Sequence, residues 1–451
     1  MEKIEKFFKL KERGTSVRTE VIAGITTFLA MAYILAVNPS YMEIAGIPKA
    51  AAFSATAISA GIATLCMAFF ANYPVALASG MGLNAFFAFT VCGAMGYSYK
   101  VALTAIFIEG IIFMILSLFK FREALVNKIP SNLKFAITAG IGLFITIIAL
   151  LNAGIVVSSE ATTVSLGNLA SAPVVLSLVG LLIIGILQHY RVPGSILLGI
   201  LITWVLGMLA QLCGWYVVDI EAGVYSVFPA FSGNSFSLPL FCDFDFGFIV
   251  KQLPAFLLIT FTFLYTDIFD TVGTLIGVAE KGNLLDEKGQ LPKAGGALMA
   301  DAVGTVVGSI LGTSTVTSYV ESSAGVAAGG KTGLTSVVTA LLFFVSLILA
   351  PLFTAIPSFA TTPAMMYVGL LMLSSIKKVD FDGDAADVIG AFLAIVMMPL
   401  TYSIANGIMF GMLSWVILKV IIGKAKDISA VMWVSVALFA IYIVLKVMGL
   451  A

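Results

Sequence analysis

Long apolar runs separated by short polar stretches make up most of the chain. A helix of about 20 predominantly apolar residues is long enough to cross a bilayer, so each run predicts a transmembrane helix. A last apolar segment, at about 429–449, is either a further crossing or a helix on the membrane surface. The fourteen predicted crossings are 19–38, 50–71, 74–92, 100–119, 132–152, 172–188, 194–213, 252–280, 293–312, 314–331, 334–353, 361–376, 385–403 and 405–423.

The composition supports this interpretation and excludes other classes. The chain has 451 residues, of which 60% are hydrophobic and 11% charged, and its mean hydropathy is +1.09. Soluble domains of this size do not have such a composition, so we expect an all-α polytopic membrane protein with the lipid bilayer as its surroundings. The formal net charge is zero, which provides no basic surface for nucleic acid.

The distribution of basic residues predicts the orientation of the chain. With the N-terminus inside, 20 of the 24 Lys and Arg residues fall on one side of the membrane. The positive-inside rule assigns that side to the cytoplasm. The tail over 1–18 is therefore predicted to be cytoplasmic and the loop over 214–251 extracellular. No cleavable signal peptide precedes the first apolar run, and we expect a multi-pass protein of the cell membrane.

The two halves of the chain resemble each other in several short matches that occur in the same order. The matches are Ile47–Ala50 with Leu291–Ala294, Ile129–Ser131 with Ile356–Ser358, and Gly142 with Gly369. Each half holds seven predicted crossings, and an odd number inverts the second half relative to the first. The pattern thus predicts one repeat over 19–213, an inverted repeat over 252–423, and a C-terminal hydrophobic helix over 424–451.

The third and tenth crossings contain small and polar residues where the others are apolar. Each is predicted to hold a short extended strand followed by a half-helix that begins near the middle of the bilayer. At an offset of 244 residues, Ser79 lies opposite Ser323. Non-helical backbone at this depth must be satisfied by protein or by a polar cavity. Two strands from inverted halves could pair there, and the N–H groups of Ser79, Gly80, Val320 and Ser322 are candidates to meet a ligand.

Carboxylates inside apolar crossings are costly and indicate function by default. Asp267 and Asp270 share one helix face in FLYTDIFDTVGTL, and no intramembrane Lys or Arg is available to neutralise them. Asp267 is a candidate for substrate binding and proton coupling, and Asp270 for proton coupling, although a protonated, purely structural aspartate is the alternative. Glu321 lies at the predicted strand-to-helix break, which favours function, and it is a candidate for both substrate binding and proton coupling. Asp301 fits a helix-packing face equally well, and a structural role is favoured for Glu109.

Two further residues are candidates to contact a ligand. The amide of Asn84 can donate and accept at once, which suits the edge of a heterocycle, although an interhelical hydrogen bond would use it equally. Phe28 could stack on a planar ligand or pack against protein or lipid. The four cysteines have no metal or redox spacing, and a single histidine cannot build a metal cluster, so we expect no metal, no cofactor and no enzymatic activity.

Five blocks of the sequence carry a resemblance to a known family. They are GTSVRTEVIAGITTFLAMAYILAVNP, ASGMGLNAFFAF, FLYTDIFDTVGTL, GTSTVTSYVESSAGVAAGGKTG and MMPLTYSIANGI. The chain resembles the AzgA-like purine permeases of the nucleobase–cation symporter group over nearly its whole length, and looks most similar to bacterial hypoxanthine/guanine permeases. The resemblance implies a 7+7 inverted-repeat transporter fold with short β-strands in the third and tenth segments. Crossings 1–4 and 8–11 would form a core domain, and crossings 5–7 and 12–14 a gate domain.

The same resemblance implies a function and its residues. It implies import of purine nucleobases by proton symport, with hypoxanthine and guanine favoured over adenine, often by a homodimer. The functional positions of the family match Asn84, Asp267 and Glu321, with Asp270 beside them. The chain departs from the xanthine/uracil branch, because Glu321-Ser322-Ser323-Ala324 replaces that branch's motif on the tenth crossing. This departure argues against xanthine, urate and uracil as substrates.

Two other classes of function are considered. An anion transporter with the same inverted repeat is the first, since half-helix N-termini suit anions. The uncompensated carboxylates of Asp267 and Glu321 would repel such a substrate. A channel or an intramembrane enzyme is the second, and the sequence holds neither a metal cluster nor a clear nucleophile–base pair for an enzyme.

Overall fold

The computed structural model describes residues 2–118, 130–159, 162–218, 226–228, 237–282, 284 and 291–447. The first half contains α1 (Glu2–Phe8), α2 (Val17–Met31), α3 (Ile34–Ile44), α4 (Lys49–Phe70), β1 (Leu77–Ser79), α5 (Met81–Ala85) with a π-helical continuation (Phe86–Ala94), α6 (Tyr99–Leu118), α7 (Ser131–Asn152), β2 (Val156–Ser159), β3 (Thr163–Leu166), α8 (Ala172–His189) and α9 (Ser195–Leu212).

The second half begins with the short helix α10 (Gly247–Lys251). It continues with α11 (Leu253–Lys281), α12 (Ala294–Leu311), β4 (Val316–Ser318), α13 (Ser322–Ala327), α14 (Gly333–Val345), α15 (Ala350–Thr354), α16 (Ser358–Leu373), α17 (Ala385–Leu400), α18 (Ile404–Ile421) and α19 (Ala430–Val447). Short 3₁₀ turns follow α14, α16 and α18, at Ser346–Leu349, Ser374–Lys378 and Ala425–Asp427.

Thirteen of the fourteen predicted crossings correspond to apolar helices of the structure. The tenth corresponds to the strand β4 and the short helix α13, which are rich in small and polar residues. Eleven of the described helices are long and apolar enough to cross a membrane, so the chain is a multi-pass membrane protein. The first crossing differs from its prediction, because the helix expected over 19–38 is interrupted after Met31 and restarts at Ile34. The last apolar segment forms α19, which packs against α18 and α11.

Proline and small polar side chains determine where several helices begin. Pro48, Pro130 and Pro357 each directly precede the first residue of a helix. Proline suits this place because it has no N–H to donate and its ring would clash inside the helix. Thr332 and Ser403 instead cap α14 and α18, since each side chain accepts a hydrogen bond from an N–H of the first turn.

The helices pack in two groups. In the first, α4 contacts α3, α12 and α14, α2 contacts α13 and α14, and α6 contacts α11 and α12. In the second, α7 contacts α16, α17 and α18, and α8 and α9 contact each other and α16. These groups are the core and the gate of the inverted-repeat transporter fold. The exact residue bounds of the two repeats stay a prediction.

The two short strands pair at the centre of the molecule, as their inverted relationship suggests. β1 and β4 run antiparallel, with Ala78 opposite Thr317, and all six of their residues are buried. The pairing continues beyond the strands, because the N–H of Gly80 donates to the Thr315 carbonyl (2.9 Å) and that of Tyr319 to the Ala76 carbonyl (3.0 Å). Non-helical backbone is thereby satisfied inside the protein, as burial in a membrane requires.

The strands also correct the predicted alignment of the two repeats. Ser79 and Ser318 are the last residues of β1 and β4, so Ser318 is the counterpart of Ser79. The offset of 244, which paired Ser79 with Ser323, holds near the starts of α4 and α12 but is a few residues too long at the strands. α12 has 18 residues and α4 has 22, and the connection from α12 to β4 is also about two residues shorter than the one from α4 to β1. A single sequence offset cannot follow these changes.

Equivalent glycines of the two repeats meet where α7 crosses α16. A Cβ on Gly142 would lie 2.6 Å from the carbonyl oxygen of Gly369, and a Cβ on Gly369 would lie 2.8 Å from that of Gly142. Positions related by a twofold axis come into contact only where the axis passes between them. The Gly142–Gly369 contact and the antiparallel β1–β4 pair therefore mark the pseudo-twofold axis that relates the halves.

Two features lie outside the crossings. The hairpin of β2 and β3, which the sequence did not predict, connects α7 to α8. Asp243, in the described part of the predicted extracellular loop, bonds to Lys100 at 2.7 Å and to the Tyr99 hydroxyl at 2.8 Å. The hydrogen bond from Lys100 lowers the pKa of Asp243 below its usual value. This contact ties the loop to the start of α6.

Candidate functional site

Three interruptions of regular structure meet at the centre of the first helix group. They are Tyr33 between α2 and α3, Gly80 between β1 and α5, and Glu321 between β4 and α13. The Tyr33 hydroxyl donates a hydrogen bond of 2.7 Å to Oε1 of Glu321. The Tyr319 hydroxyl donates one of 2.5 Å to the carbonyl of Ser79. The first, third and tenth crossings are thus joined at one point.

Glu321 and Asp270 face one another across this point. Both side chains are half-buried. Asp270 lies within electrostatic range of Asp301 and, less strongly, of Glu321, and Tyr33 lies within range of both Glu321 and Asp270. Among the acidic groups of this cluster, Glu321 and Asp270 are the two that are not fully buried.

Asp267 and Asp301 are buried behind this pair. Oδ1 of Asp301 accepts from Thr271 at 2.8 Å and from Ser318 at 3.3 Å. The Thr271 hydroxyl is also 2.7 Å from that of Thr317 and 3.5 Å from Oδ1 of Asp267. This network joins α11, α12 and β4. The expected polar stripe on the eighth crossing therefore divides, with Asp270 at the open space and Asp267 in the buried network.

Asn84 lies fully buried in α5, directly after β1. Neither atom of its amide makes a hydrogen bond to any residue that the structure describes. A buried amide without partners costs about 1–3 kcal/mol, so such a group is retained where a ligand completes it. This geometry fits the sequence expectation that Asn84 contacts a ligand.

The space beside α11 is open on one side of the carboxylates and closed on the other. Gly273 and Gly277 follow Asp270 on the same helix face, and a Cβ on either would meet no atom within 4 Å. In the opposite direction Phe263 is fully buried, with its ring 4.8 Å from that of Phe86. Towards its end, α11 therefore borders space that no described residue fills, whereas its earlier part is packed.

The other sequence candidates have structural contacts. The Ser79 hydroxyl lies 3.0 Å from that of Thr313 and accepts from Asn38 at 3.2 Å. Phe28 packs edge to face on Phe343, with ring centroids 5.2 Å apart. Val320, in contrast, is 46% exposed beside Glu321.

Two of the four predicted backbone donors are engaged within the protein. The N–H of Gly80 is used in the strand pairing described above, and that of Ser322 donates to the Tyr319 carbonyl at 3.2 Å. The expectation that these two groups wait for a ligand does not fit this geometry. Strand pairing and the turn into α13 use them first, because unpaired backbone is costly in the membrane.

Sequence reasoning missed two residues. Tyr33 was hidden in an unbroken apolar crossing, and only its contact with Glu321 reveals it. Glu20 lies within the first predicted crossing and is fully buried. Its carboxylate accepts from Lys331 N (2.9 Å) and from the hydroxyls of Thr332 (2.8 Å) and Thr335 (2.7 Å). Glu20 therefore holds the start of α14 against α2, which is a structural role.

No group of His, Cys, Asp and Glu among the described residues is arranged to hold a metal ion. The site consists of carboxylates, one amide, tyrosine hydroxyls and an open apolar path. Such groups bind and release an uncharged polar molecule through hydrogen bonds.

Comparisons with known proteins agree with this architecture. A family profile described as "Permease family" (Xan_ur_permease) matches residues 18–410. An adenine permease of Escherichia coli is 41% identical over 98% of this chain and 96% of its own. A guanine/hypoxanthine permease of Bacillus subtilis is 42% identical over 97% of this chain and 99% of its own. Among solved structures, the transmembrane domain of a cyanobacterium bicarbonate transporter, BicA, matches this chain with a TM-score of 0.65 at 15% sequence identity. The match covers 86% of this chain and 97% of that chain, so the two proteins share the fold.

Proposed function

Because this chain belongs to the Xan_ur_permease family of permeases, we propose that it imports purine nucleobases across the cell membrane by proton symport. The observation that carries the proposal is the identity of more than 40% over nearly full length to permeases named for adenine and for guanine and hypoxanthine. Hypoxanthine and guanine are the favoured substrates, and adenine is the next.

The proposed binding site suits a purine. A purine is planar and uncharged at neutral pH, and its edge alternates hydrogen-bond donors and acceptors. Glu321 would accept from ring N–H groups, and Asn84 would donate to and accept from the same edge, which completes its buried amide. Val320 lies beside Glu321 as exposed apolar surface on which the ring can rest.

Proton coupling is assigned to the carboxylates. Glu321 and Asp270 face the open space, and Asp267 lies behind them in the hydroxyl network. We propose that purine binding and protonation of this group of carboxylates favour each other, because two facing carboxylates repel until a proton is shared. Such reciprocal coupling lets a proton gradient drive uptake.

Alternating access follows from the two helix groups. The gate would move against the core about the central site, which is the usual mode of inverted-repeat transporters. We place the N-terminus and the open side of the site in the cytoplasm, on the basis of the basic-residue distribution. Assembly as a homodimer is proposed from the family resemblance.

An anion transporter is the alternative, and the similarity to BicA supports its fold alone. Against it, the site presents Glu321 and Asp270, and among the described residues no basic side chain forms an ion pair with either of them. An anion would be repelled there, whereas an uncharged purine would not.

The test is uptake of labelled hypoxanthine, guanine and adenine into vesicles with an imposed pH gradient. We expect accumulation that follows the gradient, and a loss of about 100-fold in Glu321→Gln, since a charged hydrogen-bond acceptor is removed. Glu12→Gln, on the exposed N-terminal segment, is the control and keeps full uptake. Failure of all three purines to accumulate in wild type would refute the function.

A further inference from the structure

The break in the first crossing places a tyrosine hydroxyl against the central carboxylate. Tyr33 is only 1% exposed, and its hydroxyl donates to Oε1 of Glu321 at 2.7 Å. Hydrogen bonds from a neutral donor to an ionised carboxylate are short, directional and about twice as strong as neutral ones. The contact therefore restricts how the Glu321 carboxylate can turn.

The interruption of the helix is what brings Tyr33 to this position. The helical pattern runs up to the N–H of Ala32, which donates to the Phe28 carbonyl at 2.7 Å. A tight turn at Ala32 and Tyr33 then leads into α3, where Leu35 N–H donates to the Ala32 carbonyl at 3.1 Å. The Tyr33 ring packs in the central apolar cluster, so only its hydroxyl reaches a polar group.

We propose that Tyr33 is a positioning residue for substrate selection, which acts through Glu321. This inference rests on the proposed function and adds to it a residue of the first crossing that helps to determine which purines are bound. The Tyr33 hydroxyl occupies one acceptor position of Oε1 and fixes the carboxylate plane. The remaining acceptor positions then point at N–H donors of the purine, so the substrate must present a donor at that edge.

The chemistry of the neighbours strengthens this requirement. In its ionised form, Glu321 accepts hydrogen bonds and donates none. A ligand that presents an acceptor to Glu321 in this form would leave both sides without a hydrogen. If Glu321 were free to rotate, it could avoid such a clash, and selection among purine edges would weaken.

The experiment compares Tyr33→Phe with wild type in inhibition of labelled hypoxanthine uptake. The inhibitors are hypoxanthine and its 1-, 7- and 9-methyl derivatives, each of which replaces one ring N–H or its tautomeric partner by a methyl group. In wild type, the derivative that lacks the N–H bound by Glu321 inhibits weakly. In Tyr33→Phe we expect the inhibition constant of hypoxanthine to rise about tenfold. That of the weak derivative should change less than twofold.

The control is Tyr41→Phe. Tyr41 is a second buried tyrosine, on α3, whose hydroxyl makes no hydrogen bond to a described residue. Its substitution removes the same atom and should leave all the inhibition constants unchanged. An inhibition constant does not depend on the amount of transporter, so reduced expression leaves the comparison intact.

Different failures point to different errors. If wild type does not take up purines, the proposed function fails. If wild type transports but Tyr33→Phe changes no inhibition constant, or raises all of them equally, the positioning role of Tyr33 is refuted. Should Tyr33→Phe not reach the membrane, Tyr33→Met also lacks the hydroxyl donor and should raise the inhibition constant of hypoxanthine in the same selective way. Unchanged inhibition constants in that variant would equally overturn the proposal.

Discussion

At the scale of single residues, the unusual group is a buried amide that lacks partners. Asn84 and Asn38 are both fully buried, yet their surroundings differ. The Nδ2 of Asn38 lies 2.7–3.2 Å from the hydroxyls of Thr56, Ser79 and Thr313, so both of its N–H groups have acceptors, while its Oδ1 makes no hydrogen bond to a described residue. Asn84 donates to none among the described residues. Asn38 therefore stabilises the substrate-free protein. Asn84 lowers the stability of the substrate-free protein, and a bound ligand would supply the hydrogen bonds that its amide lacks.

This difference predicts opposite effects of the same substitution. Asn84→Leu should raise the melting temperature of the purified, substrate-free protein by a few degrees, because an unsatisfied buried amide is removed. The same variant should lose at least tenfold in purine uptake. Melting temperature and uptake are both measured on detergent-purified and vesicle-reconstituted protein.

Asn38→Leu is the matched control for that experiment. It removes both hydrogen bonds donated by the Asn38 Nδ2 and should lower the melting temperature. If Asn84→Leu also destabilises the protein and leaves uptake unchanged, Asn84 is a structural residue and not a ligand group.

The sequence identified most of the candidate polar residues of the site by their residue type, but it did not show which of them face a ligand. Carboxylates in an apolar segment are visible without a structure, since their cost is known in advance. Whether Asp267 or Asp270 faces the ligand depends on which side of α11 meets β4, and no local pattern contains that information. Tyr33 has no distinguishing signal, because tyrosine is common in apolar helices.

At the scale of secondary-structure elements, the contact of α7 with α16 lies on the pseudo-twofold axis that relates the two halves. Close approach of two backbones requires glycine, and a Cβ on Gly369 would lie 2.3 Å from the Thr146 hydroxyl oxygen. We expect Gly369→Ala to separate the two helices of the gate and to reduce uptake by at least tenfold, with a lower melting temperature.

The control for Gly369→Ala is Gly185→Ala in α8. A Cβ on Gly185 would meet no atom within 4 Å, so this variant should transport normally and gain slightly in helix propensity. Normal uptake and stability in Gly369→Ala would show that the α7–α16 contact is not tightly packed.

Elements with a strong local signal were predicted closely, and the short ones were predicted by analogy between the halves. The helices that begin at Ser131 and Ser358, each directly after a proline, are examples of elements with a strong local signal. The strands β1 and β4 are only three residues each. Their prediction depended on the two halves sharing small-residue breaks. The break at Tyr33 has no counterpart of that kind in the sequence and was missed.

At the scale of the whole molecule, the surroundings of α11 differ along its length. A Cβ at Gly273 or Gly277 would meet no described atom within 4 Å, whereas nearer the start of the helix Phe263 packs against Phe86. With the orientation that the basic residues predict, we propose that this is an inward-facing state. A protein held in this state should expose the end of α11 to the cytoplasm.

Thiol labelling tests this state. In a variant without the four native cysteines, Gly277→Cys should react with a membrane-impermeant thiol reagent in inverted vesicles and not in right-side-out vesicles. Ala302→Cys, at a fully buried position of α12, is the control and should stay unlabelled in both. Labelling of Gly277→Cys from the outside only would contradict the proposed orientation.

The sequence by itself determined the membrane class, the inverted-repeat fold and the set of candidate polar groups. These properties follow from composition and from periodicity along the chain, which short-range physics controls. The tertiary structure alone decided that the Tyr33 hydroxyl donates to Glu321, that Asp267 is fully buried whereas Asp270 is half-buried, and that Gly80 and Ser322 use their N–H groups internally. Each of these depends on contacts between segments hundreds of residues apart, such as Tyr33 with Glu321, and such contacts exist only once the two halves have packed about their common axis.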